Sequence, residues 1–159
     1  MALPARTRQP RNARTRDHER QPMKATAHRR DTSSFTHRID IGHHRLVADE
    51  PREHGGDDEG PSPQELLAAS LASCAAVTIE LYAKHKGWDI GPLAVECQYT
   101  PAERGAPTKF KLTLRLPDGC TEEQAQRLLV VATKCPVHRT LDGEVMFEER
   151  VELVAQATI

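Results

Sequence analysis

The 159-residue sequence has no CxxC pair. Its four cysteines, Cys74, Cys97, Cys120 and Cys135, stand far apart, which argues against a zinc ribbon or a thioredoxin motif. It has no stretch with the form of a secretory signal peptide and no apolar run free of polar interruption, so neither leader nor membrane span is expected. Free cysteines in such a chain point to a reducing cytosol, a cytoplasmic location. Net charge is also nearly absent, −1 at pH 7, but that balance hides an asymmetry. Residues 1–30 hold nine Lys/Arg against two Asp/Glu, whereas the other 129 hold thirteen against twenty-one. The remainder is mildly acidic and offers no basic stripe suited to nucleic acid, so neither nucleic acid nor membrane is an expected partner. Residues 1–30 are also nearly devoid of large apolar side chains. They cannot offset the entropy of ordering and read as a disordered basic tail, with Met23 as an alternative start. Residues 31–159 then form one domain, long enough for a real core.

What is present centres on Pro61 to Gly87, PSPQELLAASLASCAAVTIELYAKHKG. Ser62 is a good N-cap, Pro63 suits the first helical position, and Glu65 completes a capping box. Lys84 and Lys86 before Gly87 mark the C-terminal end. Leu66, Leu67, Leu71, Val77, Ile79 and Leu81, set among alanines, make the helix apolar on most faces, which predicts a long buried central helix. Gln64, Glu65, Ser70, Ser73, Thr78, Glu80 and Lys84 favour the core of a soluble protein over a bilayer span.

Before this helix, alternation of Phe35, Ile39 and Ile41, then Gly42, then Leu46 and Val47, predicts a hairpin. The acidic loop Glu50 to Pro61, with Asp57, Asp58 and Glu59, reads as solvated rather than metal-binding. After Gly87 the period changes to two. Leu93, Val95, Cys97 and Tyr99, then Phe110, Leu112, Leu114 and Leu116, predict a second hairpin with one apolar face on each strand. Thr121 with Gln124 opens a second helix that ends near Cys135, before Pro136. Val145, Phe147, Val151 and Leu153 predict a last strand, bulged around Glu148 to Arg150. Hairpin, long helix, hairpin, second helix and strand make an α+β fold on antiparallel sheet. One sheet and one short helix hardly cover the long helix, so an apolar face is left for a second copy, a homodimer.

Cys74 lies mid-helix, with Ser70, Leu71, Thr78 and Leu81 on its face. Taken alone, such a cysteine is a small buried hydrophobe. Cys135 lies at a helix end with Lys134, His138 and Arg139 close in sequence, and nearby cations favour a thiolate. CPVH could be half a metal site, but no second ligand pair stands at suitable spacing.

GPSPQELLAASLASCAAVT, then YAKHKGW, then KCPVHRTL about sixty residues after the first cysteine, together resemble the OsmC/Ohr family of thiol peroxidases. HRLVADEP…GG…GPSP is closest to the OsmC-like branch, and the resemblance spans about residues 34–154. It implies an OsmC-like fold, an intertwined homodimer with the long helices at its centre, and no cofactor or metal. It also implies Cys74 as the peroxidatic thiol, oxidised to sulfenic acid by a hydroperoxide, organic or hydrogen, and Cys135 as the resolving thiol. An external thiol or dithiol reduces the resulting disulfide. Cys97 and Cys120 have no family role and read as packing residues.

Two positions depart from that pattern. The family's glutamate directly after the helix-opening proline is Gln64 here, with Glu65 one place later. The family's arginine in the first hairpin turn has no match in Gly42-His43-His44-Arg45, where Arg45 is displaced toward the second strand. A helix dipole fades within the first turn and gives mid-helix Cys74 little. The candidate activating groups are therefore Arg45, His43, His44 and Arg139, with Gln64 and Glu65 as orienting candidates. The alternative reading is a redox-sensing or small-ligand-binding dimer that kept the fold and the cysteines but lost the activating pair.

Overall fold

The computed structural model describes residues 22–30 and 34–154. Its elements are β1 (Ala25–Arg29), β2 (His37–Ile41), β3 (His44–Ala48), a short 3-10 turn (Arg52–His54), α1 (Pro63–Lys86), β4 (Ala94–Thr100), β5 (Lys109–Arg115), α2 (Glu122–Ala132) and α3 (Pro136–Leu141). The strands make two antiparallel sheets, β1-β2-β3 and β4-β5, and the architecture is α+β as expected.

α1 begins and ends where its caps require. The Ser62 side chain accepts from the Glu65 N–H at 3.3 Å, and the Glu65 carboxylate accepts from the Ser62 N–H at 2.7 Å. Gly87 takes the left-handed conformation at φ 66° and donates its N–H to the Ala83 and Lys84 carbonyls. The burial is narrower than expected. Leu71, Ala75, Ile79 and Ala83 form one buried stripe at helical spacing, while Leu67, Val77 and Leu81 are 37%, 54% and 64% exposed. A single chain supplies cover for one face of α1 and leaves the others open.

That cover comes from the second hairpin and α2. Cross-strand pairing sets Val95 opposite Leu114, Cys97 opposite Leu112 and Tyr99 opposite Phe110. This apolar face packs on the α1 stripe, and α2 adds Leu128, Val131 and Ala132. Fully burying a side chain such as Leu71, Ile79 or Leu128 is worth about 1.5–3 kcal/mol each, so these residues hold the body of the molecule together.

The N-terminal sheet corrects two expectations. Residues 25–29, assigned from sequence to a disordered tail, form β1 and pair with β2 along its length. Ala-Thr-Ala-His-Arg has no large apolar side chain to announce a strand; backbone pairing with β2 supplies the order. Residues 1–21 of the expected tail lie outside the described residues. The loop from Glu50 to Pro61 is also more organised than a solvated loop. Asp49 is buried, and its carboxylate accepts from the N–H groups of Glu50 (2.8 Å), Asp57 (3.1 Å) and Glu59 (3.2 Å) and from the Thr36 hydroxyl (3.1 Å). Burial pushes this carboxyl up, but the four hydrogen bonds outweigh it and its pKa falls below the ordinary 3.8. The first sheet packs little against α1 directly, and this clasp orders the loop that connects the two.

The expected last strand is not formed. Residues 144–154 carry no regular structure, and Phe147, Val151 and Leu153 are 78%, 88% and 98% exposed. A strand needs a neighbour to satisfy its backbone, and among the described residues none pairs with this segment.

Candidate active site

α1 carries Cys74 near its middle, three residues after buried Leu71 and one before buried Ala75. The half-exposed Cys74 therefore sits at the margin of the buried stripe. Thr78 returns its hydroxyl to the Cys74 carbonyl at 2.8 Å, which keeps that hydroxyl away from the thiol.

Cys135 arrives from the other direction. α2 ends at Ala132, two residues of turn follow, and Pro136 starts a new helix, α3. Pro at the first helical position makes Cys135 the N-cap, and its Sγ accepts from the His138 N–H at 3.3 Å. The Cys-Pro sequence carried this signal, and reading Cys135 as the end of α2 overlooked it. The residue is fully buried in the core cluster, against which Cys74 also packs.

The two thiols, 61 positions apart in sequence, meet at one core cluster, and Cys74 is among the groups that act on the Cys135 thiol. Burial pushes the Cys135 thiol up; the His138 N–H opposes it, the hydrogen bond and negative charge of Cys74 push it further up, and the Val137 N–H opposes again. The net direction is upward, so Cys135 stays protonated at neutral pH. A thiol held neutral beside another sulfur is a donor to that sulfur. Both cysteines are free thiols, as are half-buried Cys97 and Cys120, which pack against the core. Burial also raises the Cys97 pKa.

The activating candidates are placed elsewhere. Arg45 stands across β3 from Asp40 and pairs with it at 3.2 Å. His43 and His44 pack ring to ring, 3.9 Å between centroids, at the β2–β3 turn. Glu65 is occupied by its cap: the Ser62 N–H and hydroxyl hold its carboxyl below the ordinary range. Gln64 is exposed at the start of α1, and Arg139 is exposed on α3. No cation is among the groups acting on Cys135. A cavity of about 300 Å3 is lined by Leu71, Thr108, Phe110, His138, Leu141 and Asp142, and neither thiol is part of its wall. Leu71 precedes Cys74 by one turn and His138 follows Cys135 by one turn. Among the described residues no group of three or more His, Cys, Asp or Glu could hold a metal.

Comparison with known proteins bears on the family and the fold. The family model described as OsmC-like protein matches residues 55–150. No curated protein matches in sequence. Similar solved structures include an OsmC-like protein from Mycoplasma pneumoniae, 19% identical with a TM-score of 0.62, covering 78% of this chain and 89% of that one. An organic hydroperoxide resistance protein from Elizabethkingia anophelis, with thiocyanate bound, is 25% identical with a TM-score of 0.61, covering 77% and 89%. The organic hydroperoxide resistance protein OhrB of Bacillus subtilis is 24% identical with a TM-score of 0.54, covering 77% and 91%.

Proposed function

The chain belongs to the OsmC-like protein family, and on that premise we propose that it is a thiol-dependent peroxidase working through Cys74 and Cys135. The observation that carries this reading is that an accessible and a buried thiol from separate helices pack at one core cluster. Cys74, the half-exposed member, meets the hydroperoxide. Its thiolate attacks the outer peroxide oxygen, the O–O bond breaks, and the departing alkoxide takes a proton and leaves as alcohol, or as water from hydrogen peroxide. Cys74 is then sulfenic acid, and the Cys135 sulfur displaces its hydroxyl as water to close a disulfide. An external thiol or dithiol returns both to thiols by exchange.

The working unit is a homodimer, the general state of this family. Leu67, Val77 and Leu81 on α1 and the uncovered Phe147, Val151 and Leu153 are the surfaces a second copy covers. The free thiols suit a reducing, cytoplasmic setting.

A second reading is kept because Arg45 is engaged by Asp40 and Glu65 by its own cap. In it the chain is a redox-sensing or ligand-binding dimer without turnover. Peroxide consumption with a dithiol, followed by mass spectrometry after one equivalent of organic hydroperoxide, separates the two. The peroxidase consumes peroxide catalytically, loses all activity in Cys74→Ser, and traps sulfenic or overoxidised Cys74 in Cys135→Ser. Oxidation at Cys97 or Cys120 instead would overturn the assignment.

A further inference from the structure

The polar face of the N-terminal sheet holds a feature that the dithiol chemistry does not use. A cavity of about 610 Å3 opens there, and its lining includes His28, Arg29, Arg30, Arg38, Arg45 and Val47. The register explains the clustering. His28, Arg38 and Val47 stand abreast across the three strands, as do Thr26, Asp40 and Arg45. Alternation then puts His28, Arg38, Asp40 and Arg45 on one face; Arg29 and Leu46, of the opposite phase, also line the cleft, and Asp40 lies behind the arginines that do. Arg30 follows β1 directly.

Charge in this cleft is unbalanced. Asp40 takes Arg38 at 3.0 Å, Arg45 at 3.2 Å and His28 at 3.4 Å. Glu59 takes Arg30 at 2.6 Å. Among the described residues Asp40 divides one charge between two guanidiniums, and the Arg38 and Arg45 side chains keep 48% and 77% of their surface open. Guanidinium forks match the geometry of oxyanions. A phosphoryl group brings up to two negative charges and three acceptor oxygens, where Asp40 has one charge to divide.

We propose that this cleft binds a small phosphorylated compound, with Arg38 and Arg45 as the clamp and Asp40 as the internal anion that holds them ready. The cleft is bounded, and beyond residue 30 the chain carries a net negative charge that opposes a long polyanion. Phosphoryl oxygens displace Asp40 from the two guanidiniums, and Asp40 retains His28.

Titration calorimetry of the full chain with inorganic pyrophosphate tests the site. Saturable binding is expected, weakened by added salt because the site is exposed. Arg38→Gln should weaken it about tenfold or more, the worth of a charge-assisted hydrogen bond. Asp40→Asn should tighten it about twofold to fivefold, because a competing exposed ion pair is gone. A merely structural Asp40 would instead give weaker binding. Should Asp40→Asn fail to fold, Arg30→Gln serves as second variant and should also weaken binding. The proposal is overturned if sulfate at equal ionic strength binds as well as pyrophosphate, if Arg38→Gln binds unchanged, or if folded Asp40→Asn binds more weakly. A single-stranded oligonucleotide that binds this face without competition from pyrophosphate would also overturn it, assigning the face to a polymer.

Discussion

The two sheets of this molecule are held by opposite means. The β4–β5 sheet lays an unbroken apolar face, Val95, Cys97, Tyr99, Phe110, Leu112 and Leu114, on the stripe of α1. The β1–β3 sheet spends one face on arginines, and the loop that leads from it to α1 is gathered on a buried carboxylate, Asp49. This apolar face carries no carboxylate, so its packing responds to lost volume and not to acid. The second stands on hydrogen bonds to a charge, so it responds to protonation. The reactive sulfurs sit in the first region, where position is fixed by packing.

The sharpest way to break the comparison is to remove volume from the first region. Ile79 is fully buried. Ile79→Ala should lower unfolding free energy by about 2–5 kcal/mol. Leu81, on the open side of the same helix, is 64% exposed. Leu81→Ala should cost little in a monomer, and its effect should appear as a weaker dimer. Denaturant unfolding at several protein concentrations reads both. Equal, concentration-independent losses at the two positions would mean that the α1 stripes do not differ as described.

Acid sharpens the other side. The Asp49 and Glu65 carboxyls have lowered pKa values in the fold. A depressed carboxyl contributes stability that is complete above its unfolded value and lost as pH falls through the folded one. The loss should therefore develop below about pH 4. Asp49→Asn removes the Asp49 part of that acid limb and, with an amide nitrogen where an acceptor is needed, lowers the melting temperature at neutral pH by on the order of 5 °C. Melting curves from pH 2.5 to 7 check it. An unchanged acid limb would show that the clasp carries no stability.

The same contrast decided what could be read from the sequence. α1, its capping box, β4, β5 and α2 follow from apolar period and cap residues, because burial writes itself into spacing. Cys74 and Cys135 were legible only as a pair of motifs; their contact depends on the turn after α2, which no period encodes. β1 was missed because its order comes from backbone pairing. Asp49 was missed because a buried carboxylate looks like any acidic residue at a strand end. The last strand was expected from its alternation, correctly as a pattern, but one chain offers it no neighbour.

A smaller effect is expected from Gln64→Glu. Ten residues of helix separate position 64 from Cys74, roughly 15 Å, so the side chain reaches a thiol only across the dimer. Arg45, the candidate cation, is already paired with Asp40. An added carboxylate near a thiolate with no free cation repels it, raises the Cys74 pKa and slows peroxide reduction several-fold at pH 7. Thiolate absorbance against pH, in a variant keeping only Cys74, measures the shift. A faster enzyme with a lower pKa would mean that a cation waits there for a carboxylate.

The smallest effect should come from beginning the chain at Met23. β1 starts at Ala25, and its pairing runs from Ala25 with Ile41 to Arg29 with His37. Met23 is fully exposed, so the new start removes no ladder bond and no buried side chain. Melting temperature and peroxide turnover should match the full chain within error. Residues 1–22 carry six Arg against two Asp/Glu, so the new start removes net positive charge from a chain whose first sheet is itself rich in arginine. Any change should then be a slight gain in stability at low salt that vanishes as salt screens the cleft. A fall of more than a few degrees, or loss of the dimer, would place residues 1–22 in contact with the body and make the first sheet larger than its three strands.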